Sequence, residues 1–496
     1  MRSFLIVLAT AAAVCVGNAS RIRGIPPPWT AALVLSAACL FAEWRKRRAA
    51  GQELLAAPAH LPVFLLCMSA YMATMRWHGG DDIPNSLIPF GILRHGTLSL
   101  EPFRAKFETE TLHDFLSPVD GPLLSIFSVV PAVLALPVYI LPAMAGGAPN
   151  DFGLHNLSKI SGALITALSV VLVYEACLRR KAAERWAAAC ALFYGLGTWS
   201  WSVSSQALHS HGPAQLGTAL GMLGLLGERP RDAALAGLGF SLAVASREDS
   251  VFFFAAAGLF ILVHRPRGLV PFILGAAGPQ LFNAAYWLWY TGVLRPPYLG
   301  AQGHMFGDFQ ARAVWGMVAS PTRGLIFFSP AALFALWAMA RASRDPERRW
   351  APYLLAASAG MIVFVSYRVT WTGGQTFGTR YYAAACAIWT VALAELGPTI
   401  AASTRLRAAW AAAFAASAVV HAAGAFFPYP GSFMTQGAEA ELWQWSLHPA
   451  ANLFRAAGPM SGLPAPARLA AAAAFLAAGL PLARWAYRSA EANRRS

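Results

Sequence analysis

Two adjacent aspartates, Asp81 and Asp82, stand where an apolar run has just ended, in the stretch RWHGGDDIPNSLIPFGILRHG (residues 76–96). Two glycines precede them and give the chain a flexible exit from a helix. A carboxylate in such a place can act as a general base that takes a proton from an acceptor hydroxyl. An adjacent like charge raises the pKa of one member of the pair, which suits a base. The alternative is a pair of ordinary solvated loop acids.

Three arginines form the second group of chemical candidates. Arg247 lies in SREDS between two short apolar runs, Arg323 lies in SPTRGLIFFSP, and Arg380 ends the glycine-rich part of GGQTFGTRYY. The planar guanidinium suits phosphate oxygens, and helix N-termini expected at 324 and 382 add partial positive charge. Together the three groups could bind a lipid-linked phosphate. The alternative is that each snorkels toward lipid headgroups.

The remaining candidates are polar side chains in the expected outer loops. WSWSVSSQALHSHG contains two histidines at i,i+2 spacing, which puts them on opposite sides of a helix, although an extended segment would align them. A zinc site needs more ligands than this, so hydrogen bonding to substrate is favoured, and a divalent cation (Mg²⁺ or Mn²⁺) stays open. The predicted substrate-binding residues are His209, His211, Glu110, Asp114 and Gln375.

Composition identifies the kind of protein that must position these groups. Of the 496 residues, 57% are hydrophobic and 12% are charged, whereas a soluble domain carries roughly 25% charged residues. The formal charge of +15 is concentrated in short loops between apolar runs, such as RKRR at 45–48 and RRK at 179–181. This pattern is typical of cytoplasmic loops in membrane proteins. The sequence therefore predicts a helical integral membrane protein in a lipid bilayer, with no nucleic-acid partner.

The apolar runs predict an all-α, multi-span helical bundle of about 13–15 segments. We expect spans at 3–19, 29–44, 61–77, 122–143, 158–178, 187–205, 212–227, 232–246, 251–263, 268–290, 324–340, 350–367, 382–400, 408–427 and 468–486. Residues 1–60 are expected to form N-terminal membrane helices, 61–400 a catalytic core with its first outer loop at 78–120, and 401–496 C-terminal helices with an outer loop at 428–467. Three prolines in 122–143 predict a broken helix that re-enters the membrane or lies in the interface.

The motifs resemble those of the GT-C membrane glycosyltransferases, particularly the protein-mannosyltransferase-like, family 39-like bacterial branch. An acidic pair in the first outer loop is typical of that group, with Asp-Glu in place of the Asp81–Asp82 found here. GDDIPNSLIPFGILRHGTLSLEPF, SPTRGLIFFSP and GGQTFGTRYY are each similar to a stretch of that branch. The likeness covers about residues 61–400.

The resemblance implies a GT-C-like fold and a transferase that takes a hexosyl or pentosyl unit from a polyprenyl-phosphate-linked sugar, usually with inversion. The acceptor would be a glycan, a lipid or a protein on the periplasmic side of the bacterial cytoplasmic membrane. By position, Asp81 would be the general base and Asp82 would assist it, while Arg247, Arg323 and Arg380 would bind the donor phosphate. Some branches need a divalent cation and others do not.

Two other functions remain open. A lipid-linked glycan flippase or transporter would show repeated halves with broken helices near the midplane, whereas the acids here cluster at one face. An O-antigen-ligase-like transferase would use Arg and His with a large outer loop, whereas loop 428–467 is modest. Since no Walker or Rossmann pattern occurs, neither a nucleotide-sugar donor nor ATP is expected.

Overall fold

Most of the residues that the structure describes are helical. The computed structural model describes residues 28–52, 54, 58–74, 82–108, 122–146, 151–294, 306–374, 376–426 and 439–453. These residues contain no β-strand, and an isolated antiparallel bridge joins Phe306 to Arg368.

Eighteen α-helices follow one another in these residues. They are α1 (Pro28–Ala49), α2 (His60–Met72), α3 (Asp82–Phe90), α4 (Arg104–Glu108), α5 (Val130–Met144), α6 (Asp151–Arg179), α7 (Glu184–Leu196), α8 (His211–Leu225), α9 (Pro230–Ser246), α10 (Val251–His264), α11 (Leu269–Thr291), α12 (Ala311–Ala319), α13 (Leu325–Phe328), α14 (Ala332–Ala342), α15 (Trp350–Ser366), α16 (Ala383–Leu393), α17 (Gly397–Ala402) and α18 (Thr404–Phe426). Two π-helical turns occur as well, at Gly91–His95 and Ser200–Ser204.

The membrane character of the fold is confirmed. Within the described ranges, three helical stretches are long and apolar enough to cross a membrane: Gly153–Arg179, Arg380–Ala402 and Thr404–Ala425. Several shorter helices also match expected spans, as α10 does for 251–263 and α11 for 268–290. The expected spans at 3–19 and 468–486 lie outside the described residues. The division into three parts stays a prediction.

Residues 122–129 of the proline-rich segment are not helical, and Val130–Met144 form α5. The helix continues through Pro137 and Pro142, so the prediction of a broken helix is wrong. Pro131 lies in the first turn of α5, where a missing N–H costs nothing, while Pro137 and Pro142 lie inside the helix. Carbonyl groups at the helix end are satisfied from outside, because the Arg94 guanidinium donates to the Pro142 and Ala143 oxygens at 3.1 and 2.9 Å. Whether this segment re-enters the membrane stays a prediction.

Small residues let α8, α9 and α11 pack at close range. A Cβ atom on Gly239 of α9 would lie 2.1 Å from the Gly221 nitrogen of α8, and one on Gly237 would lie 1.9 Å from the Phe272 oxygen of α11. Lipid chains are as apolar as leucine, so helices in a membrane associate through this kind of tight backbone contact. The three helices therefore form a rigid wall, and His211 and Arg247 lie at the ends of two of them.

Candidate active site

Asp82 is a buried carboxylate at the start of α3, with only 1% of its surface exposed. The Ser158 hydroxyl on α6 donates a hydrogen bond of 2.8 Å to its Oδ2 atom. The Nδ1 atom of His155, one turn earlier on α6, lies 3.7 Å from the same oxygen. The other oxygen, Oδ1, is buried without a hydrogen-bond partner among the described residues. Asp82 therefore has one carboxylate oxygen that no described residue uses as an acceptor.

Asp82 is held in its charged form. Burial opposes ionisation and is the largest single influence on the carboxyl. Interaction with His155, the positive influence of His209 and the hydrogen bond from Ser158 together outweigh it, so the pKa of Asp82 lies below its usual value of 3.8. Such a carboxylate is a strong hydrogen-bond acceptor and a weak base, which suits an orienting role. The raised pKa expected for one member of the acidic pair is therefore not that of Asp82.

The turn at residues 205–210 is held against the same face of α6. The Leu208 backbone N–H donates to the Ser158 hydroxyl at 2.8 Å, and the Asn85 side chain on α3 donates to the Leu208 oxygen at 3.2 Å. Gly162 permits this approach, since a Cβ atom there would lie 2.4 Å from the Ala207 oxygen. Because of these contacts, the turn that carries His209 lies next to Asp82.

Hydrogen bonds from the buried Lys159 also hold the 205–210 turn against α6. Lys159 is 2% exposed, and its ammonium group donates to the Ser205 oxygen at 2.8 Å and to the Gln206 Oε1 atom at 3.1 Å. The Gln206 amide in turn donates to the Trp201 oxygen at 2.6 Å. Burying a charge in a membrane helix is costly unless hydrogen bonds satisfy it, and these acceptors satisfy the Lys159 ammonium group.

His211 connects the turn at residues 205–210, which carries His209 and is called the histidine turn below, to Arg247. The Arg247 Nη1 atom lies 3.2 Å from the His211 Nε2 atom. A guanidinium only donates hydrogen bonds, so Nε2 must be the acceptor and the ring proton must lie on Nδ1. Burial, followed by the charges of Arg247, Arg380 and His209, lowers the pKa of His211 well below 6.5. His211 is therefore neutral at physiological pH and lies within the field of both arginines.

Arg247 is fixed by a carboxylate on its other side. Its Nε and Nη2 atoms donate to the two oxygens of Asp249 at 3.1 and 2.6 Å. Its Cζ atom lies 5.8 Å from the centre of the Tyr381 ring, and the Cζ atom of the buried Arg368 lies 5.6 Å from the same ring. Arg380 immediately precedes this tyrosine. Two guanidinium groups, those of Arg247 and Arg368, thus lie over the Tyr381 ring.

The side chain of Arg323 contacts backbone oxygens, unlike that of Arg247. Its side chain is fully buried, and its Nη1 atom donates to the backbone oxygens of Thr372 and Thr376 at 3.0 and 2.9 Å. The Arg323 oxygen accepts a hydrogen bond of 2.8 Å from the Thr379 hydroxyl. These contacts shape the 372–379 loop in front of Arg380. For Arg323 itself, the role of phosphate ligand stays a prediction, while its contacts are those of a loop support.

The structure thus brings Asp82 next to the turn that carries His209 and places His211 against Arg247, within the field of Arg380. Four other predicted site residues lie outside the described residues: Asp81, Glu110, Asp114 and Gln375. Among the residues that are described, no group of three or more His, Cys, Asp and Glu side chains could hold a metal ion. The divalent cation stays a prediction.

Sequence reasoning missed several members of this group, namely His155, Ser158, Lys159 and Arg368. A signal for the first three was present, because LHNLSKISG is a polar run inside an otherwise apolar helix, and polar residues within a span usually face its partners. Arg368 gave no such signal, since only the fold brings it to Tyr381.

Comparisons with known proteins give structural likeness only. No family model matches the chain, and no curated protein matches it. A crystal structure of the Archaeoglobus fulgidus oligosaccharyltransferase, tethered with an acceptor peptide containing the NVT sequon, is 12% identical with a TM-score of 0.47 over 88% of this chain and 56% of that one. The chain therefore spans little more than half the length of that protein.

Two further solved structures are similar at the same level. The archaeal oligosaccharyltransferase AglB from Archaeoglobus fulgidus, in complex with an inhibitory peptide and a dolichol-phosphate, is 12% identical with a TM-score of 0.40 over 87% of this chain and 56% of that one. ArnT from Cupriavidus metallidurans, bound to undecaprenyl phosphate, is 12% identical with a TM-score of 0.42 over 87% of this chain and 77% of that one.

Proposed function

We propose that this protein is a membrane glycosyltransferase of the GT-C type that transfers a sugar from a polyprenyl phosphate to an acceptor hydroxyl. One observation carries the proposal. A charged, buried carboxylate, Asp82, lies next to the turn that carries His209, and His211 lies against Arg247, within the field of Arg380. An anionic group for the acceptor side and cationic groups for a departing phosphate are the two elements that this reaction needs.

The acidic pair acts on the acceptor. Asp81 takes the proton from the acceptor hydroxyl, while Asp82 stays charged and orients the acceptor through its available Oδ1 atom. The acceptor oxygen attacks the anomeric carbon from the face opposite the phosphate. As the new C–O bond forms, the bond to the phosphate oxygen breaks and its electron pair leaves with the polyprenyl phosphate, so the configuration inverts.

The arginines act on the leaving group. Arg380 and Arg247 stabilise the phosphate as its charge grows, and Arg323 holds the 372–379 loop behind them. His211 accepts a hydrogen bond from Arg247 and so directs this guanidinium without adding a charge of its own. Fixed donors aimed at a developing charge contribute most when they need no rearrangement during the reaction, and removing one typically costs about 10²–10³ in rate.

A binding experiment with undecaprenyl phosphate tests whether the arginines bind the phosphate. Saturable binding to the purified protein is measured from tryptophan fluorescence, for the wild type, Arg380→Gln and Arg344→Gln. Arg344 is an exposed arginine of the 343–349 loop and serves as the control for loss of one positive charge. We expect Arg380→Gln to weaken binding by about tenfold or more, as for a charge-assisted hydrogen bond, while Arg344→Gln binds like the wild type. Absence of saturable binding, or equal binding by Arg380→Gln, contradicts the proposal.

We further propose a multi-pass protein of the bacterial cytoplasmic membrane with its active site on the periplasmic side. Support comes from the basic loops, which are typical of the cytoplasmic side. In intact cells, a membrane-impermeant maleimide should label Gln375→Cys and leave Lys181→Cys unlabelled until the membrane is opened. The reverse labelling pattern would invert the topology.

A further inference from the structure

His421 is a buried histidine in α18 that the catalytic proposal does not use. Its Nδ1 atom lies 2.7 Å from the Ser202 hydroxyl, and its Nε2 atom lies 2.7 Å from the Ser329 hydroxyl. None of its surface is exposed. The imidazole thus bridges three elements: the π-helical turn Ser200–Ser204, the break between α13 and α14, and α18 itself.

The directions of both His421 hydrogen bonds follow from the hydrogen bond that Ser329 makes to Gly197. The Ser329 hydroxyl donates its proton to the Gly197 backbone oxygen at 2.9 Å. Since that proton is used, the Ser329 oxygen accepts from His421, and the ring proton lies on Nε2. Nδ1 is then the acceptor for the Ser202 hydroxyl. The ring is neutral and is satisfied at both nitrogens in this single arrangement.

One end of the bridge leads to the histidine turn. Ser202 is in the middle of the π-helical turn Ser200–Ser204, which runs directly into residues 205–210. The Ser205 N–H donates back to the Ser200 oxygen at 3.0 Å. A π-helical turn is uncommon. His421 contacts this one at Ser202, three residues before the turn that carries His209.

The faces and edges of the His421 ring contact the aromatic residues that support the 372–379 loop, which precedes Arg380. Its ring lies 5.2 Å from that of Trp199 and 5.6 Å from that of Phe377, measured between centres. The Trp199 indole N–H donates to the Phe377 oxygen at 2.9 Å. The next residue, Gly378, has φ +62°, and a Cβ atom there would lie 2.6 Å from the Phe328 ring. The 372–379 loop therefore packs against aromatic rings, and His421 contacts two of them, those of Trp199 and Phe377.

We propose that His421 is a positioning residue that sets the 372–379 loop, and with it Arg380, relative to the histidine turn. Neither the motif resemblance nor the proposed phosphate contacts point to this residue, which lies within a predicted span. The geometric claim stands on the contacts of His421 alone. Its consequence for ligand binding rests on the proposed function.

The geometric claim is tested by thiol labelling of the loop. Thr376→Cys is introduced after Cys15 and the exposed Cys39 are both replaced by serine, and maleimide labelling rates are compared in detergent. His421→Leu removes both hydrogen bonds. His421→Gln keeps an acceptor and a donor at similar positions. His264→Leu is the matched control, because the His264 Nε2 atom bridges to the Tyr353 hydroxyl at 3.1 Å elsewhere in the bundle.

We expect His421→Leu to label about tenfold faster than the parent, because the loop opens more often, whereas His421→Gln and His264→Leu stay close to the parent rate. Parent-like labelling of His421→Leu would overturn the proposal. So would equal acceleration by His264→Leu, which would indicate general loosening of the bundle.

The functional consequence is tested with undecaprenyl phosphate on the same variants. His421→Leu should weaken binding by about tenfold, and His421→Gln should restore it. If the wild type does not bind undecaprenyl phosphate, the proposed function fails, and the labelling rates still decide whether His421 positions the loop.

Discussion

The Ser158 hydroxyl donates a hydrogen bond of 2.8 Å to the Asp82 carboxylate and accepts one of 2.8 Å from the Leu208 N–H. One side chain therefore fixes the acid of α3 and the histidine turn on the same face of α6. Both of its hydrogen bonds are buried, so their loss leaves a charged acceptor and a backbone donor without partners. This arrangement makes Ser158 the most informative position at the acidic end of the site.

Ser158→Ala should destabilise the protein by about 1–3 kcal/mol, because buried groups that lose their partner bear the full cost of desolvation. It should also lower the transfer rate, since Asp82 loses its orientation. Ser161→Ala, three residues further along α6, is the control, because the Ser161 hydroxyl is buried with no hydrogen-bond partner among the described residues. Denaturant unfolding of both variants checks this, and equal losses would show that Ser158 has no special role.

The pH dependence of stability should report the charge on Asp82. Its pKa is lowered by folding, so its contribution is fully present above the unfolded-state value of about 3.9 and is lost as pH falls through the lower folded-state value. The difference in unfolding midpoint between the wild type and Asp82→Asn should therefore not shrink between pH 7 and pH 5. It should decline only below about pH 4. A difference that moves further in favour of the wild type as pH falls from 7 to 5 would mean that folding raises the Asp82 pKa instead.

Gly162→Ala should displace the histidine turn, because the added Cβ atom meets the Ala207 backbone oxygen at 2.4 Å and backbone cannot move as a side chain does. We expect a loss of stability of about 1–3 kcal/mol, as for other overpacked sites, together with reduced transfer. Gly278→Ala in α11 is the control, since a Cβ atom there meets nothing within 4 Å. Thermal unfolding compares the two, and a Gly162→Ala variant as stable and active as Gly278→Ala would refute this packing argument.

Arg323→Lys should impair folding more than ligand binding. A lysine keeps the charge but cannot reproduce the two hydrogen bonds that Nη1 makes to the Thr372 and Thr376 oxygens, and its ammonium would be buried in a site shaped for a guanidinium. We expect a lower unfolding midpoint and, in the folded fraction, undecaprenyl phosphate affinity within a few-fold of the wild type. A variant of normal stability that binds undecaprenyl phosphate weakly would instead make Arg323 a direct phosphate ligand.

Much of the fold was predictable from the sequence, because runs of apolar residues define spans without reference to their partners. The expected span at 350–367 and helix α15 (Trp350–Ser366) agree to within one residue. The segment at 122–143 was harder, since Pro137 and Pro142 suggested a break, whereas α5 continues through both and the Arg94 side chain caps its C-terminal carbonyls. No local pattern reveals such a long-range cap.

The site was predictable in its residue types more than in their roles. Arg247, Arg323 and Arg380 occur in similar glycine- or serine-rich contexts, yet Arg323 is fully buried under a loop while Arg247 lies against Tyr381. Burial of a single arginine depends on contacts between distant segments, which one sequence does not specify. For the same reason, Ser158 and His421 could be recognised only from the structure.

The acidic pair itself provides the most direct test of the central claim. Lipid-linked sugars and outer glycans are profiled by mass spectrometry in cells that express the wild type, Asp81→Asn or Asp308→Asn, an exposed acid that serves as the control. We predict that Asp81→Asn reduces transfer by about 10²–10⁴-fold, as for loss of a general base, with normal expression and undecaprenyl phosphate binding, while Asp308→Asn behaves like the wild type. Transfer by Asp81→Asn at the wild-type rate would contradict the account.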